Sequence, residues 1–163
     1  MVKNGESAKI LAGEYSSKVV AGVRIAIPSE FRKILGKSCI IAKGYEGSLL
    51  LVPTDKWSLI VEPLQKSSFF DRNIRDTLRF LVGSSFTVEP DKQGRIVVPA
   101  MLREYSKVNY AQNDSSEVVF VGLVNWVEIW EKSLWEQRLS YVEENADEIA
   151  QELKLLQGDP AKQ

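Results

Sequence analysis

The sequence predicts a mixed α+β fold, mainly β, built from two tandem copies of one unit. Two pairs of matching segments predict this duplication. Residues 24–35 (RIAIPSEFRKIL) match residues 95–106 (RIVVPAMLREYS) at an offset of 71, and residues 48–57 resemble residues 126–135 at an offset of 78. The difference of seven residues between the two offsets is assigned to a loop at the polar stretch 113–117. Since a unit of about 50 residues buries too little surface alone, the copies should share one core with approximate two-fold symmetry.

Each copy predicts the same order of elements. A strand over 10–16 or 84–89 leads through a Gly-containing turn to a short β-branched strand over 24–27 or 95–98. Pro28 or Pro99 suits the first turn of a short helix, and Gly36 should end the first of these helices. Two further strands and a tryptophan-bearing helix complete each copy, with the strands over 38–43 and 49–52 and over 118–123 and 126–130, and the tryptophans at Trp57 and Trp135.

The predicted organisation has four segments: a first unit over 8–58, connecting helices over 59–82, a second unit over 83–132 and a C-terminal helix over 133–157. Pro63 should end the first connecting helix, and Asp71 is a candidate N-cap of the next. One helix is expected from about Lys132 to Leu156, with apolar residues at alternating spacings of four and three. That pattern fits either an oligomer-forming contact or packing on the protein's own body.

Composition limits the class of protein. With 44% apolar and 26% charged residues the chain should fold as a soluble globule, and no apolar run approaches the roughly 18 residues of a membrane span. No signal peptide is visible, and the single cysteine, Cys39, should be a small core residue, so a cytoplasmic protein is expected. The net charge of −1 conceals 17 basic against 11 acidic residues over 1–107, and 4 against 11 over 108–163.

Catalytic and metal-binding signals are absent from the sequence. The chain has no histidine, one cysteine, and none of the common phosphate-binding or nucleophile motifs. We therefore expect neither an enzyme nor a cofactor.

The stretch DKQGR (91–95) is the strongest functional signal. Asp91 can brace a turn through backbone N–H groups, and Gly94 can adopt positive φ. Arg95 then begins a strand that can hold its guanidinium towards a phosphate or a guanine edge, with Lys92 as a second cation. The alternative is a β-turn with Arg95 salt-bridged to Asp91. Recurrence of a degraded motif before the same strand and helix in the first unit favours a DNA-binding turn.

These features resemble the MraZ family, the double-domain member of the AbrB-like swapped-hairpin DNA-binding proteins. The resemblance covers about residues 8–140 and is most specific in RFLVGSSFTVEPDKQGRIVVP and EVVFVGLVNWVEIW. It implies two swapped-hairpin units that form one pseudo-two-fold barrel with flanking helices. It also implies a ring-like homo-oligomer of about eight subunits that neither binds a membrane nor uses a cofactor. The implied activity is that of a nucleoid-associated bacterial transcriptional regulator that binds double-stranded DNA at G-rich direct repeats in the promoter of the division and cell-wall gene cluster.

Matched position by position, the resemblance assigns DNA contact to Arg95 and Arg24 and loop shaping to Asp91 and Gly94. The first unit departs from the pattern, because VAGVR (20–24) has Val20 at the Asp position and its glycine one place early, at Gly22. Lys18 could supply charge there. Two alternatives remain: another AbrB-like regulator or antitoxin, and a ring-forming scaffold protein with weak DNA binding.

Overall fold

A computed structural model describes residues 9–109 and 116–158 of the chain, which divides into two compact units, residues 1–132 and 133–163. The described residues of the first unit form eight strands and four α-helices, in chain order β1 (Leu11–Val20), β2 (Arg24–Ala26), α1 (Ser29–Leu35), β3 (Cys39–Lys43), β4 (Leu49–Pro53), α2 (Trp57–Gln65), α3 (Arg72–Leu81), β5 (Phe86–Val88), β6 (Arg95–Val97), α4 (Ala100–Ser106), β7 (Glu117–Val124) and β8 (Val127–Glu131). The second unit is formed by helices α5 (Lys132–Glu144) and α6 (Ala146–Gln157).

The eight strands form one antiparallel sheet in the order β5-β3-β4-β8-β7-β1-β2-β6, which curls into a nearly closed barrel. The two sequence copies interlock in it. Strand β1 of the first copy pairs with β7 of the second over eight residue pairs, and β5 of the second pairs with β3 of the first. Neither copy could satisfy its backbone hydrogen bonds alone. The predicted fold class, two tandem swapped-hairpin units in one barrel, is confirmed.

The sheet converts the two sequence offsets into a pseudo-two-fold axis. In the β2–β6 pair, Ile25 faces Ile96, Arg24 faces Val97 and Ala26 faces Arg95. Each residue of β2 and the residue 71 positions later on β6 are therefore related by a two-fold axis through the Ile25–Ile96 pair. In the β4–β8 pair, Leu50 lies opposite Glu128, and its neighbours follow the offset of 78 in the same way. The axis therefore passes through the middle of both strand pairs.

The core lies inside the barrel and is supplied by both copies. Ile25 and Ile96 are at most 1% exposed, and Phe31 of α1 and Leu102 of α4 are buried equally deeply. Each such side chain contributes roughly 1.5–3 kcal/mol relative to an exposed position. Cys39 is fully buried as predicted, and burial raises the pKa of its thiol to about 11.

Helix boundaries agree with the sequence at some positions and differ at others. Gly36 ends α1 with φ of 77°, and the Asp71 side chain caps α3 by accepting a hydrogen bond from the Asn73 amide at 2.8 Å. Pro63, however, lies inside the last turn of α2, which ends two residues later at Gln65, so the expected stop at Pro63 is wrong. One missing N–H near a helix end leaves the preceding turns intact.

The C-terminal helix predicted from about Lys132 to Leu156 is divided in two. Asn145 separates α5 from α6 with φ of −113° and ψ of 11°. Its side-chain amide donates to the Tyr141 carbonyl at 2.8 Å. Such local bonds compete with a regular helix, which the spacing of apolar residues could not reveal. The predicted loop at 113–117 lies mostly outside the described residues. No helix in the described part of the chain is long and apolar enough to cross a membrane.

Candidate nucleic-acid interface

The outer surface of strands β1, β2 and β6 brings three of the predicted DNA-binding residues together. Alternate residues of a strand point to opposite faces. Since Val19, Ile25 and Ile96 point into the core, their neighbours point outward. We call this outward surface the ribbon face, and it consists of Lys18, Val20, Arg24, Ala26, Arg95 and Val97.

Arg24 and Arg95 lie on either side of the pseudo-two-fold axis at the centre of the ribbon face. Arg24 is directly opposite Val97, two residues along β6 from Arg95. Diagonal neighbours of this kind are about 7–8 Å apart. Arg24 is exposed and makes no hydrogen bond or ion pair with the described residues, whereas the Arg95 side chain is 29% exposed. The backbones of the two arginines therefore lie close together on a rigid pair of strands, and each guanidinium extends towards its own loop, that of Arg24 over Gly22 and that of Arg95 to Asp91.

The second loop, residues 91–95, is held by the Asp91 carboxylate. Its Oδ1 accepts from the backbone amides of Gln93 and Arg95, each at 2.9 Å, and its Oδ2 accepts from Arg95 Nε at 2.9 Å. The Arg95 amide, aided by the Arg95 side chain and the Gln93 amide, lowers the pKa of Asp91. The Asp91–Arg95 ion pair considered from the sequence is thus present. It uses one of five guanidinium N–H groups, so the Arg95 fork can still meet an acceptor.

Two features favour glycine at position 94 of this loop. Its φ is 74°, the left-handed region that side chains disfavour. In addition, Arg32 of α1 lies directly over it, so that a Cβ at position 94 would clash with the Arg32 guanidinium. The loop and the end of α1 border an open groove of about 480 Å³. Its charged lining residues are the cations Arg32, Lys37 and Lys92 and the anions Glu89 and Asp91.

The first loop, residues 20–24, has the same length but a different construction. Val23 takes the position of Gly94: its carbonyl accepts from the Val98 amide, as the Gly94 carbonyl accepts from the Ile27 amide. Val23 has φ of 52° and is buried in the core. Gly22, with φ of 78°, takes the preceding position. A left-handed valine costs about 1–2 kcal/mol, which its burial offsets.

The remaining cations have different surroundings. Lys92 is exposed in the second loop. Lys18 is exposed on β1 but lies opposite Glu117 of β7. The hydrogen bond from Lys132, followed by the charges of Lys132 and Lys18, lowers the pKa of Glu117. The Glu117 carboxylate therefore neutralises part of the positive charge of Lys18.

Sequence reasoning missed Arg32 and Lys37, which the fold places beside the second loop. A signal was present, because Arg32 is matched by Arg103 in the repeat, yet both arginines sit on short helices that predict only solvent exposure. Only the swap of hairpins brings a helix of the first copy against the loop of the second. The described residues contain no cluster of histidine, cysteine and acidic side chains suited to a metal ion.

Interlocked hairpins around a two-fold strand pair define a tandem AbrB-like swapped-hairpin barrel. A family profile described as "MraZ protein, putative antitoxin-like" matches residues 10–80 and again residues 81–157. The chain belongs to the MraZ family.

Relatives from several bacteria align over most of their length. A protein of Bifidobacterium longum (strain NCC 2705) is 35% identical over 144 residues, which are 88% of this chain and 92% of the relative. One of Acetivibrio thermocellus is 35% identical over 144 residues, 88% and 96% of the two chains, and one of Oenococcus oeni (strain ATCC BAA-331 / PSU-1) is 36% identical over 141 residues, 86% and 94%. Each bears the name transcriptional regulator MraZ, which is a regulator's name and not an enzyme's.

Proposed function

We propose that this chain is a sequence-specific DNA-binding transcriptional regulator that contacts double-stranded DNA through the ribbon face and its two loops. The observation that carries the proposal is the convergence of Lys18, Arg24 and Arg95 on one outward surface across a pseudo-two-fold axis. The regulator name of the relatives agrees with it.

The proposed contact uses the shape of the strand pair. A two-stranded β-ribbon fits the major groove of B-form DNA, where an arginine fork can bind O6 and N7 of guanine. Arg95 is the stronger candidate for a base contact, because Asp91 Oδ2 holds its Nε at 2.9 Å and so orients the guanidinium plane. A guanidinium oriented before binding loses less conformational entropy when its other N–H groups find a partner.

Other cations then position the protein on the phosphates. Lys92 and Lys18 are exposed on the second loop and on β1, and Arg32 extends the basic surface from α1. Each phosphate that such a residue neutralises contributes roughly −0.9 to the slope of log K against log salt concentration. Arg24 has a different role from Arg95, since its loop lacks the bracing aspartate and its side chain lies over Gly22.

Oligomerisation and the operator follow from the family resemblance. We propose a homo-oligomeric ring of about eight subunits that presents its ribbon faces to direct repeats in the promoter of the division and cell-wall genes, in the nucleoid of the cytoplasm. The two sequence units, 8–58 and 83–132, would each supply one loop. Tethered copies bind with a higher effective concentration, so weak single contacts can add to a specific complex.

Fluorescence anisotropy tests the DNA contact. The probe is the duplex upstream of the protein's own gene, compared with a scrambled duplex of equal composition over a range of salt concentrations. Arg95→Ala should abolish the preference for the native duplex, and Arg24→Ala should weaken it. Arg72→Ala is the matched control, because Arg72 is an exposed arginine on α3, outside the ribbon face. Equal binding of both duplexes by the wild type, unchanged in Arg95→Ala, would refute the proposal.

An assembly scaffold is the second candidate. Exposed apolar side chains favour it, notably Phe69 at 73% and Phe70 at 88% between α2 and α3. Analytical ultracentrifugation of Phe69→Ser and Phe70→Ser, combined with the anisotropy assay, separates the candidates. For a scaffold, the variants should dissociate the assembly while the wild type shows no sequence preference on DNA.

A further inference from the structure

The ribbon face alternates cations with aliphatic side chains, and the proposed charge contacts use only the cations. Along one row, Val20 of β1 lies beside Arg24 of β2, which lies opposite Val97 of β6. Along the next row, Ala26 lies opposite Arg95. Within this pattern Val97 is 54% exposed, between two guanidinium-bearing positions. A single exposed valine is ordinary, but this one lies beside the axis of the surface proposed to enter the DNA groove.

Position determines what Val97 would meet in that groove. A ribbon that enters the major groove along its two-fold axis inserts its central residues deepest, and Val97 and Ala26 flank the Ile25–Ile96 pair at that axis. The C5-methyl group of thymine is the apolar feature that the base pairs present there, and small aliphatic side chains contact it. Valine supplies two methyl groups held stiffly on a β-branched side chain.

We propose that Val97 is a specificity-determining residue that packs against the C5-methyl group of thymine in the bound DNA. The proposal rests on the proposed function and deepens it. Its pseudo-symmetric counterpart is Ala26, which is shorter and half-buried. The two halves of the ribbon face therefore differ, and thymine is preferred on the Val97 side.

Replacement of thymine by deoxyuridine tests this contact, because it removes the methyl group and retains base pairing. Footprinting on the upstream duplex first locates the protected segment, and anisotropy then gives Kd for that segment with thymine or with deoxyuridine at every thymine position. The proteins are the wild type, Val97→Ala, Val97→Thr and the control Val82→Ala, which truncates an exposed valine at the end of α3.

Coupling between the two changes is the expected result. Deoxyuridine should weaken wild-type binding about fourfold for each thymine methyl group that Val97 covers, the equivalent of roughly 0.8 kcal/mol. Val97→Ala should show a similar decrease in affinity on thymine DNA and little further decrease on deoxyuridine DNA. Val97→Thr, which keeps the branched shape and one methyl, should retain part of the sensitivity, and Val82→Ala all of it.

The possible failures are distinguishable. If the wild type prefers the native duplex but deoxyuridine weakens the wild type and Val97→Ala equally, the Val97 contact is overturned and the regulator function stands. If the wild type shows no preference between native and scrambled duplexes, the proposed function fails and this inference fails with it.

Discussion

Substitution of Gly94 by alanine tests the geometry of the second loop. Gly94 has φ of 74°, and a Cβ there would meet the Arg32 guanidinium too closely for either group to stay in place. A left-handed alanine costs about 1–2 kcal/mol. Arg32 is exposed and flexible, so its displacement should add little to the loss of stability. We therefore expect a decrease of about 1–2 kcal/mol in the free energy of unfolding, or roughly 2–8 °C in Tm.

Gly36 offers a comparison in which the added Cβ meets no other side chain. Its φ is 77°, and a Cβ there would have no neighbour within 4 Å. With ψ of −162°, the Gly36 backbone lies in a region that almost only glycine adopts, so Gly36→Ala should lose stability through the backbone alone. Urea unfolding gives the loss of stability of each variant.

DNA binding should separate the two glycine variants, although both lose stability. Gly94→Ala moves the second loop and pushes Arg32 away from it, so preferential binding in the anisotropy assay should fall. Gly36→Ala leaves both in place and should bind as the wild type does. If Gly94→Ala left the free energy of unfolding unchanged while Gly36→Ala lowered it, the left-handed geometry of residue 94 and the reasoning built on it would be refuted.

Further predictions concern the other groups of the site and the core. Val23→Gly removes the strain of a left-handed valine, but it also removes a buried side chain and raises the conformational entropy of the unfolded chain. The free energy of unfolding should therefore fall by about 1–2 kcal/mol in urea unfolding. A gain in stability would contradict the burial of Val23. Asp91 has a lowered pKa when folded, so its stabilising effect should be complete above about pH 4 and fade as the pH falls through the folded value. The difference in stability between wild type and Asp91→Asn should shrink accordingly in acid, and a difference that grows would reverse the sign. Cys39, with a thiol pKa of about 11, should react with a thiol reagent at pH 8 about 100-fold more slowly in the native protein than in urea; equal rates would mean that the thiol is accessible.

Local patterns in the sequence were sufficient for the repeat, for the order of elements within each copy and for the braced turn at residues 91–95. The offsets of 71 and 78 reappear as the ladders of β2 with β6 and of β4 with β8. Alternation along β2 and β6 placed Ile25 and Ile96 inward and the two arginines outward, because a strand has a period of two. Asp91 and Gly94 could be assigned to a braced turn, since their side-chain chemistry acts within four residues.

Contacts between distant parts of the chain could not be obtained in this way. Arg32 meets Gly94 only because the hairpins are exchanged, which places α1 of the first copy beside the second loop. Lys18 gained Glu117 as a neighbour through the pairing of β1 with β7.

Val23 marks the limit most clearly. Glycine is the residue that a local rule predicts at its left-handed position, and a branched apolar residue is accepted there because the shared core buries its side chain. Burial in a core depends on the whole fold, so the residues of the first loop alone could not predict that Val23 is buried.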